Sequence, residues 1–262
     1  ALRGHDVTIV EKADKVGGAM YTAGLPPHKE RILYYTEWCE RQLEKLGVTI
    51  HLNTAYDKSM QEQYDHVFIC AGSNYMRVIP GSDGENVLIA TDALENPEKV
   101  GDKVVVIGGG SCGFEVAEFF GGREIEVSLK EYADFDRELV IETQKSKKYK
   151  NKDVSVIEMM CETCCDMEAF TREVITKVLD VNGVDVLLNS KVLDIQPHSV
   201  RVIDMKKGNL LELPADTVIL SAGLIPNRVD EASEKVTYLG DSEQPGKIVQ
   251  AVFRAYSAAS DI

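Results

Sequence analysis

Three glycines between Lys103 and Phe119 have the spacing that binds a dinucleotide. Gly108, Gly110 and Gly113 give the pattern G-x-G-x-x-G in the run KVVVIGGGSCGFEVAEF. Glycine at the first position allows a tight turn, and at the second it lets backbone N–H groups approach a diphosphate. At the third it lets a helix pack closely on the preceding strand. The pattern predicts phosphate binding at the start of a helix.

The sequence around these glycines supplies the elements that would position them. Val104 to Ile107 is a short apolar run typical of a strand buried on both faces of a parallel sheet. Phe114 to Phe120 has the apolar rhythm of a helix, and Gly121-Gly122 breaks it. Strand, turn and helix therefore follow the order of a dinucleotide-binding unit. A purely structural glycine turn is the alternative.

A dinucleotide-binding unit also has an acidic residue at the end of its second strand, which binds the adenosine ribose. Two segments offer one: EIEVSLKE ends at Glu131, 18 residues after Gly113, and DVSVIE ends at Glu158, 45 residues after it. A segment of about 30 residues is inserted before or after the true strand, and both acids stay open. Because either carboxylate repels a 2′-phosphate, NADH is predicted over NADPH.

The start of the chain repeats this pattern. His5 to Val10 is a predicted strand that ends in Glu11, a candidate for binding a second adenosine ribose. The alternative is a surface glutamate paired with Lys12. The strand, glycine loop and helix that would precede it, about 25 to 30 residues, are expected to be missing, so the chain is interpreted as a fragment.

The composition excludes several classes of partner. Of 262 residues, 44% are hydrophobic and 27% charged, which suits a globular protein with a core. The 29 basic and 43 acidic residues give a net charge of −14, which disfavours nucleic acid and anionic membranes. No apolar run approaches the roughly 20 residues that span a bilayer, so we expect a cytoplasmic protein. Five scattered histidines predict no metal cluster.

Periodicity predicts the remaining elements, which alternate between helices and short strands. They are helices over about 29–46 and 171–181, strands over 48–52, 64–71, 184–188, 191–195, 217–222 and 236–239, and a final helix from about Lys247 with Ile248, Val252 and Ala255 inward.

In this arrangement the chain resembles the nucleotide-binding half of the NADH:flavin oxidoreductase family, which includes 2,4-dienoyl-CoA reductase, 2-enoate reductases and trimethylamine dehydrogenase. The matching stretches run through nearly the whole chain in family order: GHDVTIVEKADKVGG, GLPPHKE, DHVFICAGS, VVVIGGGSCGFEVA, SVIEMM, ADTVILSAGLIPN and YLGDSEQPGKIVQA. The resemblance implies an α/β fold with two doubly wound Rossmann-like domains, as in glutathione reductase. An FAD-binding domain (residues 1–96 and 227–262) would be interrupted by an NAD(H)-binding domain (residues 97–226).

The same resemblance implies roles for individual residues. On the FAD side, Glu11 and Lys12 would lie at the adenosine ribose and Gly17-Gly18 would line the flavin cleft. Asp241, after Gly240, would bind the ribitol or the pyrophosphate. The residues implied at the crossings between the domains are Ala71, Gly72 and Gly223. Those implied in NAD binding are Gly108, Gly109, Gly110, Ser111 and Gly113, together with Glu131 or Glu158.

The implied function is an electron-input module that passes hydride from NADH to FAD. A missing N-terminal barrel of the same protein would hold FMN, an iron–sulfur cluster and an enoate- or enoyl-type substrate, so the fragment is expected to be inactive alone. The cofactors carry this chemistry, so we predict no catalytic side chain. Expected partners are NADH and the barrel, and the resemblance allows a homo-oligomer.

Two other functions are alternatives. Cys161, Cys164 and Cys165 contain a C-x-x-C pair that suggests a disulfide reductase. Their position after the glycine turn differs from the redox pairs of glutathione-reductase-like and thioredoxin-reductase-like enzymes. The triplet also lacks the second pair expected of a metal site. The other alternative is a module that binds an adenine nucleotide without turnover.

Overall fold

The computed structural model describes residues 1–27, 29–122 and 152–262. The chain divides into two compact units. Unit 1 comprises residues 1–21, 31–76 and 223–262, and unit 2 comprises residues 22–30 and 77–222. The predicted strand over 124–131, including Glu131, lies outside the described residues.

The described α-helices range from five to sixteen residues, and three further segments form short 3₁₀ helices. The helices are α1 (Ala19–Ala23), α2 (Glu30–Lys45), α3 (Ala90–Glu95), α4 (Ser111–Phe120), α5 (Ala169–Val181) and α6 (Ile248–Ser260), and the 3₁₀ helices are Lys58–Gln63, Pro97–Lys99 and Gly240–Ser242.

The described strands range from three to seven residues. In chain order they are β1 (Thr8–Val10), β2 (Thr49–His51), β3 (Val67–Ile69), β4 (Ser73–Tyr75), β5 (Val87–Ile89), β6 (Lys103–Ile107), β7 (Asp153–Ile157), β8 (Asp185–Leu187), β9 (Ser190–Gln196), β10 (Ser199–Asp204), β11 (Leu210–Pro214), β12 (Thr217–Leu220), β13 (Leu224–Pro226) and β14 (Val236–Tyr238).

Unit 2 is built on a five-stranded parallel sheet in the order β5-β12-β6-β7-β8. The β-branched run of β6 explains its central position, because such residues pack well when both sheet faces are covered. Its residues from Val104 to Val106 are at most 1% exposed. On α4, Phe114 and Phe120 are fully buried. The predicted α/β class with a parallel sheet is confirmed.

A second sheet of unit 2 was only partly predicted. Strands β9, β10 and β11 form a three-stranded antiparallel sheet, whereas the sequence indicated a strand only near β9. Val200 and Val202 of β10 are fully buried in the same apolar cluster as Val105 of the parallel sheet. The short, alternating pattern of β10 and β11 gives a weak periodic signal, and their pairing with β9 makes them strands.

Unit 1 contains three two-stranded sheets: β1 with β2 and β3 with β14, both parallel, and β4 with β13, antiparallel. Among the described strands, β1 and β3 each pair along one edge only. The buried core of this unit includes a cluster of Ile69, Val236 and Tyr238.

The boundaries between the two units along the chain differ from those predicted from the sequence. The units change at 76/77 and 222/223, whereas the sequence placed the boundaries at 96/97 and 226/227. Residues 77–96 join unit 2 because β5 pairs with β12 and because Ala90 and Ala93 of α3 are completely buried. Residues 224–226 join unit 1 because β13 pairs with β4.

The last helix differs from the prediction in the face that it buries. Ile248 is 50% and Val252 is 55% exposed, and no residue of α6 is buried. Ala255, the third residue of the predicted inward face, is half-buried, so the described chain covers this face only in part. Within the described residues, no helix combines the length and the apolar character needed to cross a membrane.

Candidate nucleotide-binding site

The turn between β6 and α4 has a shape that requires glycine at two of its positions. Gly108 has φ +111°, a left-handed conformation that other residues rarely adopt. A Cβ atom at Gly113 would lie 1.9 Å from the carbonyl oxygen of Gly108. The helix therefore sits directly on the turn, as the glycine spacing predicted.

Gly110 differs from Gly108 and Gly113, because the described residues leave room for a side chain at this position. Among the described residues that do not adjoin it in the chain, a Cβ atom there would have one neighbour within 4 Å, the Asp166 Oδ1 atom at 3.8 Å. Gly110 is the N-cap residue of α4, and its carbonyl oxygen accepts a hydrogen bond from Phe114 N at 3.1 Å. Such an open glycine at a helix start leaves room for a ligand to approach the first backbone N–H groups.

Glu158 contacts this turn directly. It follows β7, the parallel neighbour of β6, and its Oε2 atom accepts a hydrogen bond from Gly109 N at 2.7 Å. Its Oε1 atom accepts another from Met160 N, also at 2.7 Å. The structure thus brings one of the two candidate ribose acids to the glycine turn. The other, Glu131, lies outside the described residues.

The segment after Glu158, residues 159–168, folds against the same turn and is called the 159–168 segment below. Cys164 N donates to Gly109 O at 2.8 Å. Asp166 Oδ1 accepts from Ser111 N at 3.1 Å, and Asp166 Oδ2 accepts from the Ser111 hydroxyl. Asp166 was not predicted, because no local pattern links it to a helix that begins 55 residues earlier.

The cysteines of this segment are free thiols in unlike surroundings. Cys164 is buried, whereas Cys161 and Cys165 are exposed. Burial raises the pKa of the Cys164 thiol to about 12, and the Asp166 and Glu115 carboxylates add to the effect. Because the thiolate is the reactive form, Cys164 is a poor nucleophile near neutral pH. Among the described residues, no group of three or more acidic, cysteine or histidine side chains is arranged to hold a metal ion.

In unit 1, the predicted FAD residues near the start of the chain lie around the end of β1. The Glu11 Oε1 atom accepts a hydrogen bond from Ala13 N at 2.7 Å, and Lys12 is exposed. Gly17 has φ +116° and lies so close to α2 that a Cβ atom would be 2.4 Å from Thr36 Cγ2. Gly18 also has a positive φ, +49°, with open space around it.

The other predicted unit 1 residues lie near the ends of β3, β4 and β13. Asn227 donates two hydrogen bonds to backbone carbonyl oxygens. Its backbone N–H donates to Gly72 O at 3.0 Å, and its side-chain amide donates to Ala71 O at 3.3 Å. Asp241 accepts from the Ser73 hydroxyl at 3.4 Å. Asn227 was not predicted, and its signal in the sequence is its place after the SAGLIP run.

The two remaining glycines also have positive φ angles. Gly223 has φ +71° and its carbonyl oxygen accepts a hydrogen bond from Met76 N at 2.7 Å. Gly240 has φ +59° and precedes Asp241 in the last 3₁₀ helix. These conformations explain glycine at both positions by backbone geometry alone.

The glycine turn of unit 2 fits a dinucleotide diphosphate. Such a ligand needs an open glycine at the helix start, a helix packed closely on the turn, and a carboxylate at the end of the neighbouring strand. Gly110, Gly113 and Glu158 provide these three features. One feature departs from this description: the Asp166 carboxylate occupies the Ser111 donors at the start of α4.

Known proteins resemble the chain over nearly its full length. A metal reductase from Desulforamulus reducens is 31% identical over 278 aligned residues, covering 99% of this chain and 41% of the relative. A cinnamate reductase from Clostridium sporogenes is 26% identical, covering 100% of this chain and 36% of the relative. The solved structure of 2-naphthoyl-CoA reductase with 2-naphthoyl-CoA superposes with a TM-score of 0.79 at 25% identity, covering 97% of this chain and 36% of that one.

The chain spans about two fifths of the length of these proteins. The relatives are named oxidoreductases, and the resemblance inferred from the sequence is confirmed. The family model described as pyridine nucleotide-disulphide oxidoreductase matches residues 1–242. The chain therefore belongs to the pyridine nucleotide-disulphide oxidoreductase family, whose domain implies binding of FAD and NAD(P)H.

Proposed function

We propose that this chain is the electron-input module of a flavin-dependent oxidoreductase that passes hydride from NADH to FAD. Unit 2 would bind NADH and unit 1 would bind FAD. The observation that carries the proposal is the Gly108–Gly113 turn with the Glu158 carboxylate beside it. It is supported by the family membership of the chain.

Each group at the unit 2 site has a binding role in this proposal. The open side of Gly110 and the backbone N–H groups at the start of α4 would hold the diphosphate, and Glu158 would accept hydrogen bonds from the adenosine ribose. NADH supplies the hydride and FAD accepts it when both are bound. The protein's part is to orient the cofactors and exclude water, so no side chain needs to act as a base.

The preference for NADH rests on charge. The Glu158 carboxylate would repel a 2′-phosphate, and the two residues that follow, Met159 and Met160, offer no positive charge to bind one. We therefore expect NADH to bind more tightly than NADPH.

The final electron acceptor lies beyond this chain in the proposal. The matched relatives include a cinnamate reductase and a 2-naphthoyl-CoA reductase, and the chain spans only about two fifths of their lengths. We propose that the whole protein carries an N-terminal barrel with FMN, an iron–sulfur cluster and an enoate- or enoyl-type substrate site. The free edges of β1 and β3 among the described strands support a further segment that supplies a strand between them.

The disulfide-reductase alternative has less support. Its chemistry needs a thiol with a lowered pKa, whereas the pKa of the buried Cys164 thiol is raised to about 12. A module that binds the nucleotide without turnover has the same glycine turn, so only a measurement of electron transfer separates it from the proposal.

The test is an anaerobic titration of the complete, purified gene product with NADH and then with NADPH. We expect NADH to bleach the visible flavin absorbance at lower concentration than NADPH. A flavin that binds but stays oxidised would support the binding module and contradict the proposal. An NADH-dependent rise in free thiols would support the disulfide reductase.

A further inference from the structure

We propose that Asp166 is a displaceable anionic cap that competes with the nucleotide diphosphate for the start of α4. The inference rests on the proposed binding of NADH at this turn and concerns how tightly the nucleotide binds. Both Asp166 carboxylate oxygens are engaged with Ser111, one with its backbone N–H and the other with its hydroxyl.

The position of this carboxylate is the basis of the competition. Gly110 has no side chain, and a Cβ atom placed there would have the Asp166 Oδ1 atom, at 3.8 Å, as its one neighbour within 4 Å among the described residues that do not adjoin it in the chain. A diphosphate held by the same turn needs the donors at the start of α4 and the positive end of the helix dipole. Two anions cannot share these donors without strong repulsion, so one must leave when the other binds.

The 159–168 segment is held in a way that permits the exchange. Cys164 N donates a hydrogen bond to Gly109 O at 2.8 Å. The Cys164 backbone has φ +48°, a left-handed conformation that costs free energy in residues other than glycine. Asp166 itself is exposed to solvent, so water can hydrate its carboxylate once it leaves the helix. Nearby, Glu158 keeps its own contacts with Gly109 and Met160 and does not use the Ser111 donors.

The experiment measures the affinity of the complete, FAD-loaded gene product for ADP-ribose by calorimetry. ADP-ribose contains the diphosphate and the adenosine ribose but cannot donate hydride, so binding is separated from reduction. Asp166→Asn removes the charge and keeps a side chain that can still cap the helix. We expect it to lower the Kd by about three- to tenfold.

The matched control is Glu162→Gln, which removes the same charge from the same segment. Glu162 faces Arg172 at 3.5 Å. We expect the Glu162→Gln variant to bind ADP-ribose with the same Kd as the unaltered protein. An equal tightening in Glu162→Gln would assign the effect to net charge and overturn the proposal, as would a Kd that Asp166→Asn leaves unchanged or raises.

Thermal unfolding with and without ADP-ribose provides a second readout. Without ligand, Asp166→Ala should melt at a lower temperature, because the start of α4 has lost its cap. With saturating ADP-ribose the difference should shrink or reverse, since the diphosphate replaces the cap. A merely structural cap would keep the same difference in both conditions and refute competition. No ADP-ribose binding in any variant would instead refute the proposed nucleotide site itself.

Discussion

At the scale of single residues, Gly110 and Gly113 show how two glycines of one motif differ in purpose. A methyl group at Gly113 would lie 1.9 Å from a backbone oxygen, whereas the nearest non-adjacent described atom to one at Gly110 would be 3.8 Å away. Gly110 is therefore open to a ligand, whereas close packing requires Gly113. The motif pattern alone does not distinguish these roles.

We predict that Gly113→Ala destabilises unit 2. Overpacking costs about 1–3 kcal/mol, and the higher helix propensity of alanine returns at most about 1 kcal/mol. The contact is with backbone rather than with a flexible side chain, so rotamer changes cannot relieve it. Urea unfolding should therefore show a lower midpoint.

Gly110→Ala is the matched substitution at the open position. We expect an unfolding midpoint close to that of the unaltered protein, an unchanged FAD content and at least about tenfold weaker ADP-ribose binding. Unaltered ADP-ribose affinity would show that the diphosphate does not approach Gly110.

At the scale of elements, the Asp230 carboxylate joins the 3₁₀ helix Lys58–Gln63 to the chain before β14. Its oxygens accept hydrogen bonds from the Tyr56 hydroxyl at 2.9 Å and from Glu231 N at 2.7 Å, and Lys58 Nζ lies 3.1 Å away. The Asp230 side chain is only 4% exposed. The N–H of Glu231 is the main cause that lowers the pKa of this carboxyl, and Tyr56 and Lys58 act in the same direction.

This lowered pKa predicts a pH dependence of stability. A carboxyl with a lower pKa in the folded state stabilises the protein above its unfolded-state pKa of about 3.9 and loses this contribution as the pH falls through the folded value. We expect Asp230→Asn to lower the melting temperature by a few degrees at pH 7. The difference from the unaltered protein should shrink below about pH 4.

Asp14→Asn is the control for this prediction, because Asp14 is an exposed carboxylate of the same unit. It should leave the melting temperature nearly unchanged at every pH. If the deficit of Asp230→Asn persisted undiminished into the acid range, its cause would be side-chain packing rather than the carboxylate charge.

At the scale of the whole molecule, unit 1 has strand edges that no described strand pairs with and an apolar helix face that is exposed. Strands β1 and β3 each have one free edge among the described strands. Helix α6 also exposes large apolar side chains, with Val249 at 70%, Phe253 at 69% and Tyr256 at 74%. An exposed apolar face of this kind marks a surface that packs against something else.

We predict that residues 1–262 alone retain FAD poorly. Among the described strands, β1 and β3 lie in separate two-stranded sheets, and we propose that a preceding segment supplies the strand that joins them. Gel filtration followed by absorbance spectroscopy should give well below one FAD per chain. The complete gene product, with the proposed preceding segment, should approach one. Stoichiometric FAD in residues 1–262 would contradict this account.

Features that depend on neighbouring residues could be predicted from the amino-acid sequence. The apolar run of β6, the glycine turn and helix α4 were predicted from spacing, and α5 from its periodicity. These elements follow from local propensity and from burial patterns that a short window of sequence contains. The α/β class and the family resemblance followed from their order along the chain.

Contacts between residues far apart in the chain became known from the three-dimensional fold. It paired β5 with β12, placed the unit boundary at 76/77, and left Ile248 and Val252 of α6 exposed. It also placed Asp166 on Ser111, across 55 residues of chain. Local patterns do not contain such contacts, because they depend on how the chain between two elements returns and on which partners bury the same surface.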